Sequence, residues 1–221
     1  MEQISTKDRI LDAAEQLFAD RGFANTSLRQ ITAAAGANIA AVNYYFQSKE
    51  ALIRAVFSRR LVPINKRRLE LLDQLEARGK PLSVEEVLRA FIEPVLCSPQ
   101  GLQGFMTFGR LVGRMYSDPS DMLSRVFLEE LAEVRVRFVA AIQRAMPELP
   151  LEELYWKLHF AIAVFAQTLT GLQRLKAISG GVCDISDSRV VLERMVAFVA
   201  AGFRAPSAVG NAKGEPQCKG N

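Results

Sequence analysis

Ser27-Leu28-Arg29-Gln30-Ile31-Thr32-Ala33-Ala34-Ala35-Gly36-Ala37-Asn38-Ile39-Ala40-Ala41-Val42-Asn43-Tyr44-Tyr45-Phe46 decides how this chain folds. Two short helical patterns sit either side of Gly36-Ala37-Asn38. Ser27 and Gln30 form a capping box that starts the first, and Gly36 stops it. Asn38 caps the second, Ile39 to Phe46. Two helices across a tight, glycine-containing turn form a helix-turn-helix, whose second helix lies in the DNA major groove. On a helical wheel Ile39, Val42 and Phe46 fall together and are expected in the core. Ala37, Ala40, Ala41 and Tyr44 fall opposite, with Tyr45 and Asn43 at the edges. Small side chains let a helix sit deep, and alanine methyls pack on thymine methyls. Tyrosine hydroxyls and the Asn43 amide reach phosphates or base edges.

Helical signals continue outward in both directions. Ile10, Ala13, Ala14, Leu17 and Phe18 repeat at helical spacing, with Ser5 or Thr6 as cap and Gly22 as stop. Ser48 caps a fourth helix running to about Ala77, and Lys49 with the free N–H groups at that helix start suits a phosphate. After the break at Arg78-Gly79-Lys80-Pro81, Ser83 and Glu86 open a helix to Leu96. Further helices are expected over Leu102–Tyr116, from Asp118-Pro119 to near Met146, over Leu151–Ile178, and over Asp187–Phe203. Strand signals are scarce. The expected fold is all-α with about nine helices. It comprises a helix-turn-helix domain (1–47), a ligand-binding and dimerisation domain (48–204, with 48–77 connecting) and a disordered tail (205–221).

Composition bounds the function without deciding it. The 221 residues are 49% hydrophobic and 24% charged, with net charge +4. Residues 1–50 hold five Lys/Arg against six Asp/Glu, whereas residues 51–68 hold six basic residues and no acid. Charge alone therefore does not argue for DNA. Cys97, Cys183 and Cys218 have neither zinc nor disulfide-framework spacing, so no metal, no cofactor and a cytoplasmic location are expected. The N-terminus lacks the apolar core of a signal peptide. The longest apolar run, Phe160 to Ala166, is seven residues, against about 20 for a membrane span. No phosphate loop, nucleophile elbow, dinucleotide fingerprint or zinc-protease motif is present, which argues against an enzyme.

The string Arg9-Ile10-Leu11-Asp12-Ala13-Ala14-Glu15-Gln16-Leu17-Phe18, Gly22-Phe23, Thr26-Ser27-Leu28-Arg29, Ile31, Ala35-Gly36, Asn43-Tyr44-Tyr45-Phe46 and Ser48-Lys49-Glu50-Ala51-Leu52 closely resembles the TetR family of bacterial repressors. The resemblance covers roughly a quarter of the chain. It implies a homodimer that binds a palindromic double-stranded operator and is released by a small apolar effector. It places DNA contacts on Ser27, Arg29, Asn38, Ala41, Asn43, Tyr44, Tyr45 and Lys49. The chain departs from the family's usual residues at Ile39, Ala40, Ala41, Asn43, Tyr45 and Gln47, and the less polar reading face leaves the operator sequence unread. Within the family, residues 38–46 look most like the PsrA-type regulators of Pseudomonas, which respond to long-chain fatty acids, so a long-chain fatty acid or acyl-CoA is the effector expected.

In the second domain, Leu151–Ile178 is apolar nearly all round between Leu158 and Ala166, so one side needs a partner. A four-helix dimer interface with the last helix is expected, through Phe165, Leu169, Leu172, Met195 and Val199. Phe91, Phe105, Phe108, Leu111, Val112, Met115, Phe138 and Phe160 are candidates for an apolar ligand pocket, although core is the simpler reading of each one. Arg110, Arg114 and Arg174 suit a ligand carboxylate or the surface equally. His159, the single histidine, reads as a hydrogen-bonded core residue. Competing readings are a regulator of a drug-efflux gene with another apolar effector, and a lipid-binding module that has lost DNA reading.

Overall fold

The computed structural model describes residues 4–97, 107–114 and 121–207. Among these residues the fold is all-helical. The helices are α1 (Thr6–Arg21), α2 (Leu28–Ala35), α3 (Ile39–Phe46), α4 (Lys49–Glu76), α5 (Val84–Leu96), α6 (107–114), α7 (Asp121–Glu130), α8 (Ala132–Ala145), α9 (Leu151–Ile178) and α10 (Ser188–Arg204). The expected Asp118-Pro119 helix start and nearly all of the tail (208–221) lie outside the described residues.

The caps form as the side chains dictate. Ser5 Oγ accepts from the Asp8 amide at 3.1 Å, Asn38 Oδ1 from the Ala41 amide at 2.8 Å, and Ser48 Oγ from the Ala51 amide at 3.0 Å. Reciprocal capping boxes start α2 at Ser27 and α5 at Ser83. Each such cap stabilises its helix by about 1 kcal/mol. Gly36 ends α2 in the left-handed conformation, φ 58°.

Helices α1, α2 and α3 close around Ile10, Phe18, Ile31, Val42 and Phe46, all buried. Helix α4 packs against α1 and α3 and against α5, α7 and α8; α10 covers α5 and α9. Phe57 on α4 joins the two regions. Its ring lies 6.0 Å from Phe23 in the N-terminal unit, and 6.2 and 6.3 Å from Phe108 and Phe127 in the C-terminal unit.

The basic run of residues 51–68 is largely consumed within the chain. Buried Glu15 on α1 receives Arg59 at 2.6 Å and Arg60 at 2.9 Å, and Arg59 also meets Asp12 at 2.7 Å. Arg54 pairs with Glu129 on α7 at 2.6 Å, Arg67 pairs with Glu70 on its own helix, and Arg68 is buried. Farther along α4, Asp73 and Glu76 hold Arg137 at 2.6 and 2.7 Å.

The single helix expected between Asp118 and Met146 is two helices, with a turn at Leu131 (φ −101°, ψ 3°). At that turn the Asn65 amide donates to the Glu130 carbonyl oxygen at 2.8 Å. A buried polar side chain on α4 needs an acceptor, and the break supplies one.

Candidate nucleic-acid interface

Helices α2 and α3 present one outward surface. Tyr44 is 81% exposed at its centre and Tyr45 is 42% exposed, the two rings in edge contact at 5.0 Å. Asn43, Ala40 and Arg29 are exposed around them. Ala41 is half-buried against the core. Ser27 and Asn38 lie at the N-termini of α2 and α3, where their oxygens already cap the backbone. The Asn38 Nδ2 group remains as a donor beside the N–H groups of the first turn, a surface suited to an anion. Ile39 departs from the expectation of a core residue. It is 44% exposed at the first position of α3, and only Val42 and Phe46 of that face are buried. Gln47 ends α3 with φ 63°, a strained conformation for a side-chain-bearing residue.

Lys49 has another attachment. Its half-buried ammonium donates to the Phe23 carbonyl oxygen at 2.6 Å, tying α4 to the α1–α2 loop. Burial lowers its pKa from the ordinary lysine value. Two of its three N–H donors remain for a phosphate.

The C-terminal candidates divide into separate groups. Phe91 and Phe138 meet edge-on at 5.3 Å, with the half-buried Phe165 at 6.2 Å from Phe91. Phe108, Leu111 and Val112 are buried on α6, where Phe108 joins Phe57. Phe105 and Met115 lie outside the described residues. Phe160 does not belong with either group: it is 59% exposed on the outer face of α9, stacked 6.0 Å from Trp156. His159 is exposed beside the same two rings rather than in the core. Arg110 pairs with Asp20 at 3.5 Å, and Arg114 donates to the Ala19 and Asp20 carbonyl oxygens at 3.4 and 3.0 Å. Both arginines thus dock α6 on the end of α1. Arg174 is exposed.

The expected interface residues also need correction. Met195 and Val199 are each 5% exposed inside the chain's own core, and Leu169 is 7% exposed. Gly109 and Gly113 allow α6 to pass so close to α9 that an added Cβ would stand 3.4 Å from Leu169 and Thr170. Phe165 and Leu172 are half-buried on this inward side, and Leu172 lines a groove of about 260 Å³ with Lys176 and Ile185. The outward side of α9 and α10 carries a different set: Tyr155, Trp156, Phe160, Ile162 and Phe198. The i, i+4 spacing of Trp156 and Phe160 is the sequence signal for that face.

A three-helix head with a short, exposed second helix of a helix-turn-helix, set on a larger helical unit, defines a DNA-binding regulator of transcription. The chain belongs to the TetR family. Residues 10–56 match the model of bacterial regulatory proteins of the tetR family, and residues 89–202 match the Tetracyclin repressor-like C-terminal domain. The probable HTH-type transcriptional regulator YttP of Bacillus subtilis is 41% identical over 56 residues, 25% of this chain and 27% of that one. The match thus spans about a quarter of that relative's length. Among solved structures, the fatty acid degradation regulator FadR from Bacillus halodurans superposes with TM-score 0.64 at 14% identity, covering 93% of this chain and all of that one. FadR from Bacillus subtilis in complex with stearoyl-CoA superposes with TM-score 0.61 at 14% identity, covering 88% and 98%. These likenesses establish the fold. No helix of the described residues is long and apolar enough to cross a membrane.

Proposed function

We propose that two copies of this chain bind a palindromic operator as a cytoplasmic repressor and leave it when an apolar effector enters the C-terminal unit. Residues 1–47 form the reading head and 48–204 the sensing and pairing unit. The carrying observation is the surface of α3. Tyr44, Tyr45 and Asn43 stand out from α3 beside the small Ala40 and Ala41, with Arg29 exposed on α2 and capped starts to α2 and α3. The exposed aromatic residues of α9 and α10, with Trp156 stacked on Phe160, supply the pairing surface, because exposed apolar groups of this size mark an interaction site. A long-chain fatty acid or its CoA ester is the proposed effector class. The aromatic core around Phe91, the resemblance to PsrA-type regulators and the likeness to a regulator held with stearoyl-CoA support it. The effector acts by binding the DNA-incompetent arrangement better than the competent one.

The test is fluorescence anisotropy on the duplex upstream of the protein's own gene, with excess competitor DNA. Combined Tyr44→Ala and Arg29→Ala should weaken operator binding by about 100-fold or more, with helix content and dimerisation retained. Lys49 is left in place because it holds the Phe23 carbonyl. Unchanged binding by this variant would remove the assigned reading surface. The exposed Ile39 and the lack of any Lys or Arg on α3 favour a second reading, a lipid-binding module without DNA reading. A salt titration separates the two, since operator binding weakens with salt and still prefers one sequence.

A further inference from the structure

The C-terminal unit buries a cation that no anion among the described residues matches. Arg68 on α4 is 3% exposed. Its Nε donates to the Phe91 carbonyl oxygen at 2.8 Å, and its Nη1 donates to Asn65 Oδ1 at 3.0 Å. Asn65 is itself fixed by the Glu130 carbonyl. The guanidinium carbon lies 3.8 Å from the centre of the Phe91 ring. Every one of these partners is neutral, and no carboxylate pairs with Arg68 among the described residues. Glu15, equally buried, is met by two arginines. A guanidinium has five N–H donors, and the two hydrogen bonds leave three.

A charge taken out of water is costly unless an opposite charge compensates it. Burial pushes the Arg68 pKa down to about 9, as expected of a cation lacking a counter-ion. The Phe91 ring under the guanidinium in turn meets Phe138 at 5.3 Å and Phe165 at 6.2 Å. A single anionic head on a hydrocarbon chain has the same layout, and a carboxylate matches the fork of a guanidinium.

We propose that Arg68 anchors the carboxylate of an amphipathic acid whose hydrocarbon chain lies along Phe91, Phe138 and Phe165. This rests on the ligand-responsive reading above and assigns the residue that holds the ligand's head. It is tested by calorimetric titration of the full chain with oleate, methyl oleate and oleoyl-CoA, each below its micelle concentration. Wild type should bind oleate about ten-fold or more tighter than the ester. Oleoyl-CoA, which lacks the carboxylate, should be insensitive to Arg68 substitution. Arg68→Met, which removes the buried charge at similar volume, should bring acid and ester together without lowering the melting temperature, and Arg68→Lys should restore part of the difference. Arg68→Gln, which keeps a donor for the Phe91 carbonyl, carries the same test if the Met variant fails to fold. Equal binding of acid and ester by wild type would overturn the proposal. So would a Met or Gln variant that keeps the preference for the acid, since Arg68 is then only a tie between α4 and α5. Failure of all three ligands to bind would also overturn it, while operator binding by the same preparation decides the regulator reading separately.

Discussion

The two ends of the molecule handle exposed side chains in opposite ways. The head (α1–α3) buries its apolar residues almost completely and exposes tyrosine, asparagine and arginine on α2 and α3. The C-terminal unit exposes tryptophan, phenylalanine, tyrosine and isoleucine along α9, and Phe198 on α10. Polar groups outward on a short helix suit a wet, charged partner such as duplex DNA. Rings outward on a long helix suit a partner that excludes water. The contrast teaches that the same helical architecture presents two kinds of surface, and Phe57 is one of the side chains that join them.

Removing that joint should have the largest effect. Phe57 is fully buried between rings of both regions. Phe57→Ala should cost about 3–5 kcal/mol, and calorimetry should resolve one cooperative transition into two. One sharp transition at the wild-type temperature would mean the regions are not coupled through this ring. A smaller effect on folding, but a full one on assembly, is expected from Phe160→Arg. A charge in the centre of an apolar contact should give a monomer in sedimentation, with the melting of the head retained and operator binding lost. A dimer of unchanged affinity would move the pairing surface elsewhere. The smallest effect belongs to Gln47. Its φ of 63° suits glycine, so Gln47→Gly should stabilise the head by about 1 kcal/mol, read as a rise of a few degrees in melting temperature. A fall would show that the Gln47 side chain makes up for its backbone strain.

Much of the head was legible because its determinants are local. Ser27, Asn38, Ser48 and Ser83 each cap a backbone amide three residues away, and a cap acts the same way wherever the rest of the chain goes. Ile39 was not legible. A wheel assigns it a direction, but at the first position of an eight-residue helix no neighbour covers it. Lys49 is claimed by a carbonyl 26 positions earlier, and the break at Leu131 meets an amide 65 positions away. Neither distance leaves a mark in local pattern. On α9, Phe160 was expected inside and Leu169 at the surface, the reverse of what the structure shows, because a helix apolar all round carries no amphipathic sign; Met195 and Val199 of α10 are likewise buried within the chain. Only the packing of α10 on α5 and α9 settles which side is which.

The commitment of Arg54, Arg59, Arg60 and Arg67 to carboxylates, and the burial of Arg68, have a consequence for how the protein searches a chromosome. Non-specific residence on duplex grows with the number of phosphates that cations neutralise. With these arginines held as internal ties, the neutralising of phosphates is left to cations elsewhere on the surface, such as the exposed Arg29 of α2.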